Sequence, residues 1–480
     1  MSGHAAAVPS SGARRWLFPL LVAIAFCTSA IAVANVLFAA ALLVWAAAIR
    51  NERRFPPSLR GGIAFWIAAF VAFGAASALF SLHPERSLAG LKGFFTFLLL
   101  PLFADGLETD RQLRAVVSAL GAAAAVLAAV GLWQYLHGAN RLSDRIEATL
   151  SHYMTFSGLL LVVCLLLLGI ALEGGQGRGA SAALVAFLGA AILLTFTRNA
   201  YVGFFAAVVA YLVIRRPRWL AAVPVAAGLL YLAAPSAIRA RILSTFDPSD
   251  PTNRDRIDMA IAGFRMIRDY PVFGVGLTLV KPYYPLYRVP TAVRWRVPHL
   301  HDNLLQIAAE SGLFAAAAYV AILACFFTVC LRRLRKETHR GRRGVLAGAF
   351  LAVAGISAAG FFEYNFGDVE VLMTTLIVMA IPFSRVFGDA GEAREHRAGE
   401  AREHRAGEAR ERGSGEAREH RSGEARQHRA GEAREHRAGE ARERGSGEAR
   451  QHRAGEAREH GSAQDRGAAT IPSAAEGGRG

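Results

Sequence analysis

The sequence predicts an all-α integral membrane protein of about twelve transmembrane helices, with a large outward-facing loop between spans nine and ten and a disordered C-terminal tail. Three observations carry that prediction. Of the 480 residues 53% are hydrophobic, and up to about residue 388 they gather in apolar runs of roughly 15 to 24 residues, long enough or nearly so to cross a bilayer. From Gly391 onward hardly any large apolar side chain remains. A water-soluble core made of those runs would need many helices that are hydrophobic on every face, which excludes an ordinary globular domain. The third observation is charge. The tail holds 19 Arg against 18 acidic residues, so nearly all of the formal charge of +16 belongs to the membrane part. There it reads as positive-inside bias and as contact with membrane lipids, with no nucleic-acid partner implied.

Taken in order, residues 1–15 form a short N-terminal segment and 16–388 the membrane domain. The run "WLFPLLVAIAFCTSAIAVA" passes almost directly into "NVLFAAALLVWAAAI" without a cleavage site, so the two read as a hairpin of spans and not as a signal peptide. Further spans are expected near 62–82, 92–105, 115–136, 154–173, 182–197, 201–215, 219–234, 313–331, 344–362 and 369–387. The basic connections "RNERRFPPSLR", "RRPR" and "RRLRKETHRGRR" then fall on one side, which makes both termini cytoplasmic. The opposite, outer side receives the loop of about 235–312. Cys27, Cys164, Cys325 and Cys330 all lie in apolar runs and behave as small hydrophobes, with no disulfide framework or zinc motif.

Residues 389–480 are a low-complexity tail in which "GEAREHRA" recurs with variants from Gly391 to Gly455. A period of eight fits neither a heptad nor an eleven-residue coil, and no apolar seam exists, so a solvated, disordered cytoplasmic tail is expected. Its seven histidines could take up metal adventitiously.

Ionisable residues concentrate at the outer boundary. In "DRIDMAIAGFRMIRD", Ile257, Ile261, Phe264 and Ile267 recur at helical spacing between Arg256, Arg265 and Arg268. That suits an amphipathic helix with its apolar face in lipid and its basic groups outward. So many arginines on the outer side either meet lipid head groups or hold an anionic ligand, which suits guanidinium because it donates in pairs and stays charged. Arg198 stands between two apolar runs with almost no loop, a costly place for a charge unless a cavity or counter-ion meets it; the alternative is a snorkelling arginine at a tight turn. His299, His301, Asp302 and Asn303 precede a run that reads as a helix from near Leu304. Asp302 or Asn303 can cap it. A helix N-terminus with cationic neighbours disfavours a charged imidazole, and a neutral histidine is what a general base requires. An interfacial or structural histidine is the competing reading, and an isolated His-x-His is weak evidence for metal.

His301-Asp302, nine residues, then Gly312-Leu313 resembles the H-[N/S/Q]-x9-G pattern of the O-antigen ligase and O-antigen polymerase superfamily. "TFTRNAYVGF" resembles its Ser/Thr-Arg turn and "DRIDMAIAGFRMIRDYPVFGVGL" its Arg-to-"PLFGVG" loop; "HYMTFSG" at 152–158 and "FFEYNFGD" at 361–368 also resemble family segments. One departure is visible: the amide or serine after the histidine is Asp302 here, so that role falls to Asp302 as an orienting acid or passes to Asn303. The resemblance implies glycosyl transfer at the periplasmic face of a bacterial inner membrane. The donor would be a glycan on undecaprenyl diphosphate and the acceptor a sugar hydroxyl of lipid A–core. His301 would be the base, with Arg198, Arg256 and Arg254 on the diphosphate. Arginines countering the leaving group imply no metal and no cofactor, and a single displacement implies inversion. Lys281, Tyr283 and Tyr284 would line a sugar cleft or anchor the interface. Glu363 and Asp368 would support the arginines or cap a helix. O-antigen polymerase and protein O-oligosaccharyltransferase share the donor chemistry. A transporter or flippase would instead show two related halves and midplane charges, and neither is apparent. Oligomeric state has no signature in the sequence.

Overall fold

A computed structural model describes residues 14–52, 56–59, 61–175, 177–388 and most of 427–437. The tail's predicted disorder lies outside the described residues, apart from helical positions within 427–437. The chain divides into two units, Met1–Glu395 and His396–Gly480. The first is built from the helices α1 (Arg14–Phe26), α2 (Ile31–Glu52), α3 (Gly62–Leu79), α4 (Pro84–Gly106), α5 (Asp110–Leu136), α6 (Tyr153–Glu173), α7 (Arg178–Leu194), α8 (Arg198–Arg215), α9 (Pro217–Ala233), α10 (Ser236–Leu243), α11 (Pro251–Asp269), α12 (Val280–Tyr287), α13 (Asn303–Lys336), α14 (Arg340–Ala359) and α15 (Val369–Phe387). A two-residue β-pairing, Asn140–Arg141 with Asp144–Arg145, is the one sheet element among the described residues.

The protein is a polytopic all-α membrane protein: among the described residues nine helices, α2 to α6, α8 and α13 to α15, are long and apolar enough to cross a membrane. Helices α7 and α9 are apolar but shorter, and α1 has 13 residues. The first hairpin turns at Cys27–Ala30, not at Asn35, because Thr28 and Ser29 supply the polar break while Asn35 continues α2. Helix α4 starts at Pro84 instead of near 92, as proline favours a first helical turn; 11 of its 23 residues form a 3₁₀ stretch, Leu88–Leu98.

Helices α6, α14 and α15 form the centre, with 78 to 89% of their apolar windows buried, against 28% for α2 and α3. Glycines let the central backbones touch. A Cβ on Gly169 would stand 2.0 Å from the Gly348 nitrogen, and one on Gly348 2.0 Å from the Leu166 carbonyl oxygen; with lipid as apolar as leucine, such close packing is what holds helices together. Gly348→Val is therefore expected to force α6 and α14 apart and to destabilise by about 1–3 kcal/mol or more. Size-exclusion of detergent-extracted protein after a heat challenge checks this, and an unchanged midpoint refutes it.

Helix ends gather into two sets. At one end ion pairs tie the bundle together: buried Asp105 receives Arg14, Arg385 and the Trp45 indole N–H, Asp110 pairs with Arg342 and Glu173 with Arg343. The opposite end carries the 137–152 turn, the 195–197 turn, the 235–302 segment and the 360–368 loop. There α11 and α12 pack over the start of α13 through Met259, Met266, Val280, Tyr284, Leu300 and Leu305.

Candidate active site

The His301 backbone adopts φ +55°, a left-handed conformation unusual outside glycine and asparagine. This turn brings both histidines to one acid. His301 Nδ1 lies 2.9 Å from Glu363 Oε2, His299 Nε2 lies 3.6 Å from Glu363 Oε1, and the two rings meet edge to face with centroids 4.3 Å apart. Spacing alone gives no reason to join residues two apart; the left-handed residue does. Donation from Nδ1 to the carboxylate fixes the tautomer and leaves Nε2 with its lone pair free, the arrangement of a general base with its orienting acid. Burial pushes Glu363 up, but His301, His299 and Arg256 outweigh it and hold the carboxyl below its ordinary range. Burial, then His301, pushes His299 down to about 4.

Asp302 caps α13, its carboxylate accepting from the Leu305 amide at 2.8 Å. The orienting acid is thus Glu363 and not Asp302. Asn303 instead bridges to the 360–368 loop: its amide donates to the Gly360 carbonyl (2.7 Å) and its side-chain oxygen accepts from the Phe366 amide (3.1 Å). Nine residues separate Asp302 from Gly312, at φ +81°, where α13 breaks. The 270–276 segment runs along that break, Val275 N–H to Ala309 O and Gly276 N–H to Glu310 O at 2.9 Å each, and Leu313 N–H to Pro271 O. A Cβ at Gly312 would meet the Val272 oxygen at 2.0 Å. The histidine-to-glycine spacing therefore locks the loop that follows α11 to the helix that follows His301.

Arg198 is buried and donates to the Ser244 carbonyl (2.7 Å), the Ser244 hydroxyl (3.2 Å) and Asp250 (3.2 Å). It is no snorkelling arginine; it ties the 195–197 turn to the start of α11, which Asp250 also caps through the amides of Thr252 and Asn253. Two arginines that carry no signal in the sequence join it. Arg145 Nη1 and Arg241 Nε both donate to the Phe196 carbonyl, at 3.5 and 3.2 Å, and Phe196 is itself left-handed at φ +53°. Arg145 also stacks over Tyr153 at 4.3 Å. Arg241 is pushed down to about 10 by burial and then by Arg198 and Arg145. Arg256 is lowered chiefly by burial, with Glu363 opposing, and its buried Nε has no hydrogen-bond partner among the described residues. No ion pair is formed by Arg145, Arg241 or Arg256 among the described residues. Four buried or half-buried guanidiniums beside one histidine–carboxylate pair constitute a site poised for a multiply charged anion.

The other expected residues divide. Arg254 and Lys281 are exposed and Tyr284 is buried in the small core, so the structure does not bring Arg254, Lys281 or Tyr284 to the arginines; Tyr283 faces His83 at 6.0 Å. Helix α11 does present Ile257, Ile261 and Phe264 outward, but Arg256 and Arg265 turn inward, Arg265 donating to the Tyr287 carbonyl, which corrects the expectation that its basic groups all face out. Asp368 accepts from the Thr155 hydroxyl at 3.0 Å and makes no cap bond to α15; burial raises it to about 7. Among the described residues, the group able to hold a metal ion is His299, His301 and Glu363, whose ligand atoms lie within 4.8 Å of one another.

These groups make stability depend on pH. The unfolded chain protonates His299 near 6.5 and the folded one only near about 4, so its contribution is present above 6.5 and is lost as pH falls through that window. Asp368 works against it, protonated in the fold up to about 7, and destabilises increasingly as pH rises from about 4 to 7. Thermal scans should therefore find that His299→Gln flattens the acid-side loss, while Asp368→Asn raises stability at pH 7. Identical pH profiles for wild type and both variants refute this.

No curated protein matches the chain at a significant level. Residues 182–320, from α7 to the middle of α13, match the family model described as O-antigen ligase. That span holds Arg198, Arg241, Arg256, His299 and His301, while Arg145 and Glu363 reach the same site from outside it.

Proposed function

With an O-antigen ligase family domain as its premise, we propose that the membrane unit is an O-antigen ligase, transferring a glycan from undecaprenyl diphosphate to a sugar hydroxyl of lipid A–core at the periplasmic face of a bacterial inner membrane. The family transfers lipid-linked glycans; the ligase acceptor, the twelve-span topology with cytoplasmic termini, and inversion belong to this reading. The observation that supports it best is the His301–Glu363 pair standing beside Arg145, Arg241 and Arg256, which make no ion pair among the described residues. The acceptor hydroxyl gives its proton to His301 Nε2 as its oxygen attacks the anomeric carbon. The bond from that carbon to the diphosphate oxygen breaks on the opposite face, and undecaprenyl diphosphate leaves with the electron pair. Arg198, Arg256, Arg145 and Arg241 hold the diphosphate and stabilise the charge that develops on it. In this scheme the guanidiniums do what a metal does in other diphosphate-leaving reactions. Arg254, exposed on α11, has at most a part in guiding the donor from bulk lipid.

The test is lipopolysaccharide banding in a ligase-deficient bacterium that makes a matching donor. A high-molecular-weight ladder is expected on complementation. No ladder, together with longer chains in a polymerase-deficient strain, would move the assignment to O-antigen polymerase; glycosylated protein in place of either would move it to protein O-glycosylation.

A further inference from the structure

We propose that His299, His301 and Glu363 form a binding site for a divalent transition metal such as zinc, and that filling it switches off His301. The inhibitory role rests on the reading of His301 as general base, but the site itself stands on geometry. Two imidazoles and a carboxylate converge with their ligand atoms within 4.8 Å of one another, a donor set that suits zinc and leaves a fourth position for water. Closing on bonds of about 2.0–2.2 Å needs inward movements on the order of 1 Å, within reach of one carboxylate torsion and two ring rotations. Access is open: the side chains of His299 and His301 are 24% and 14% exposed. The opposing charge is Arg256, which is drawn to Glu363. It weakens the site relative to a closed structural zinc centre.

Occupation and catalysis exclude each other at one ring. When Nδ1 of His301 coordinates the ion, the proton that Nδ1 carries and donates in its hydrogen bond to Glu363 moves to Nε2, and Nε2 can no longer accept a proton from a hydroxyl. His299 coordinates through Nε2 and takes its own proton on Nδ1, giving up the 3.3 Å contact with the His301 amide. The site thus reads ambient zinc and holds the enzyme inactive while it is bound. It also differs from a catalytic metal centre, because removing the ion raises the rate.

Cobalt(II) titration of the full-length protein in detergent, followed by visible absorption, tests the site without turnover. The tail's seven histidines give a common background. Wild type is expected to bind one more cobalt ion than His299→Ala, and His299→Cys to recover that ion with a thiolate charge-transfer band absent from wild type. Equal stoichiometry in wild type and His299→Ala, or no new band in a folded His299→Cys protein, overturns the site. In the transfer assay, half-inhibition of His299→Ala should need at least tenfold more zinc than wild type needs. Wild-type transfer that persists with the extra ion bound, or that falls when zinc is chelated, overturns the inhibitory role while leaving the site. Absence of any transfer condemns the functional reading alone, since the cobalt result does not depend on it.

Discussion

Replacing His301 by alanine is expected to lower the rate of glycan transfer by about 10²- to 10⁴-fold, the range that a positioned general base contributes, with little change in the apparent KM for the donor. With His301 meeting the acceptor hydroxyl and the arginines the donor, as proposed, the loss falls on kcat. A second substitution separates chemistry from backbone strain. His301 occupies φ +55°, where alanine is strained by about 1–2 kcal/mol and asparagine much less. His301→Asn should therefore fold at least as well as His301→Ala, and still be as inactive. Glu363→Gln should lose roughly 10²-fold or more, because an amide can donate to Nδ1 and leave the proton on the wrong nitrogen. Rates of purified proteins, with folding checked by thermal unfolding, decide the matter. An asparagine variant that retains wild-type transfer removes His301 from the chemistry.

Fold and site differ in how far the sequence makes them legible, and the reasons are physical. Bilayer-length apolar runs announce helices because lipid admits few alternatives; each of the twelve spans expected falls on a helix, but among the described residues only nine of these are long and apolar enough to cross, α1, α7 and α9 being shorter. Turn positions such as Thr28-Ser29 are less visible, since two small polar residues barely interrupt an apolar run. His301, Arg198 and Arg256 are legible because an ionisable group at a membrane boundary needs a reason. Glu363 is legible as a candidate, but its partner is not. The contact spans 62 positions and depends on Asn303 stitching the 360–368 loop to α13 and on the left-handed turn at His301. Arg145 and Arg241 carry no signal at all. Each sits in a polar connection where arginine is unremarkable, and only the shared Phe196 carbonyl brings them together. Conversely Arg254 looks as good as Arg256, yet two residues on a helix lie about 200° apart, so one faces inward and the other out.

The arginines yield the sharpest contrast, since two that look alike in sequence should respond oppositely in stability. Arg198 is a structural member as well as a ligand: its removal leaves the Ser244 carbonyl without that donor and Asp250 without its ion pair. Arg198→Ala should therefore destabilise by about 3–5 kcal/mol, the range for breaking a buried pair from one side, and abolish transfer. Lysine should not rescue it, because one ammonium cannot reproduce a fork that meets Ser244 and Asp250 together. Arg256 has a buried Nε with no partner among the described residues, and the burial of its charge, with Arg198 nearby, outweighs its attraction to Glu363. Arg256→Gln removes that buried charge, so the donor-free protein should melt no lower than wild type while transfer falls by about 10²- to 10³-fold, as when one preorganised donor is lost. An enzyme that keeps an unpaired cation at the expense of its own stability does so because the missing partner arrives with the substrate. Thermal melting with and without a diphosphate-bearing donor checks that inference directly. Donor should raise the melting point of wild type by several degrees and that of Arg256→Gln by much less. If the two shifts are equal, Arg256 does not hold the diphosphate, whatever its effect on rate.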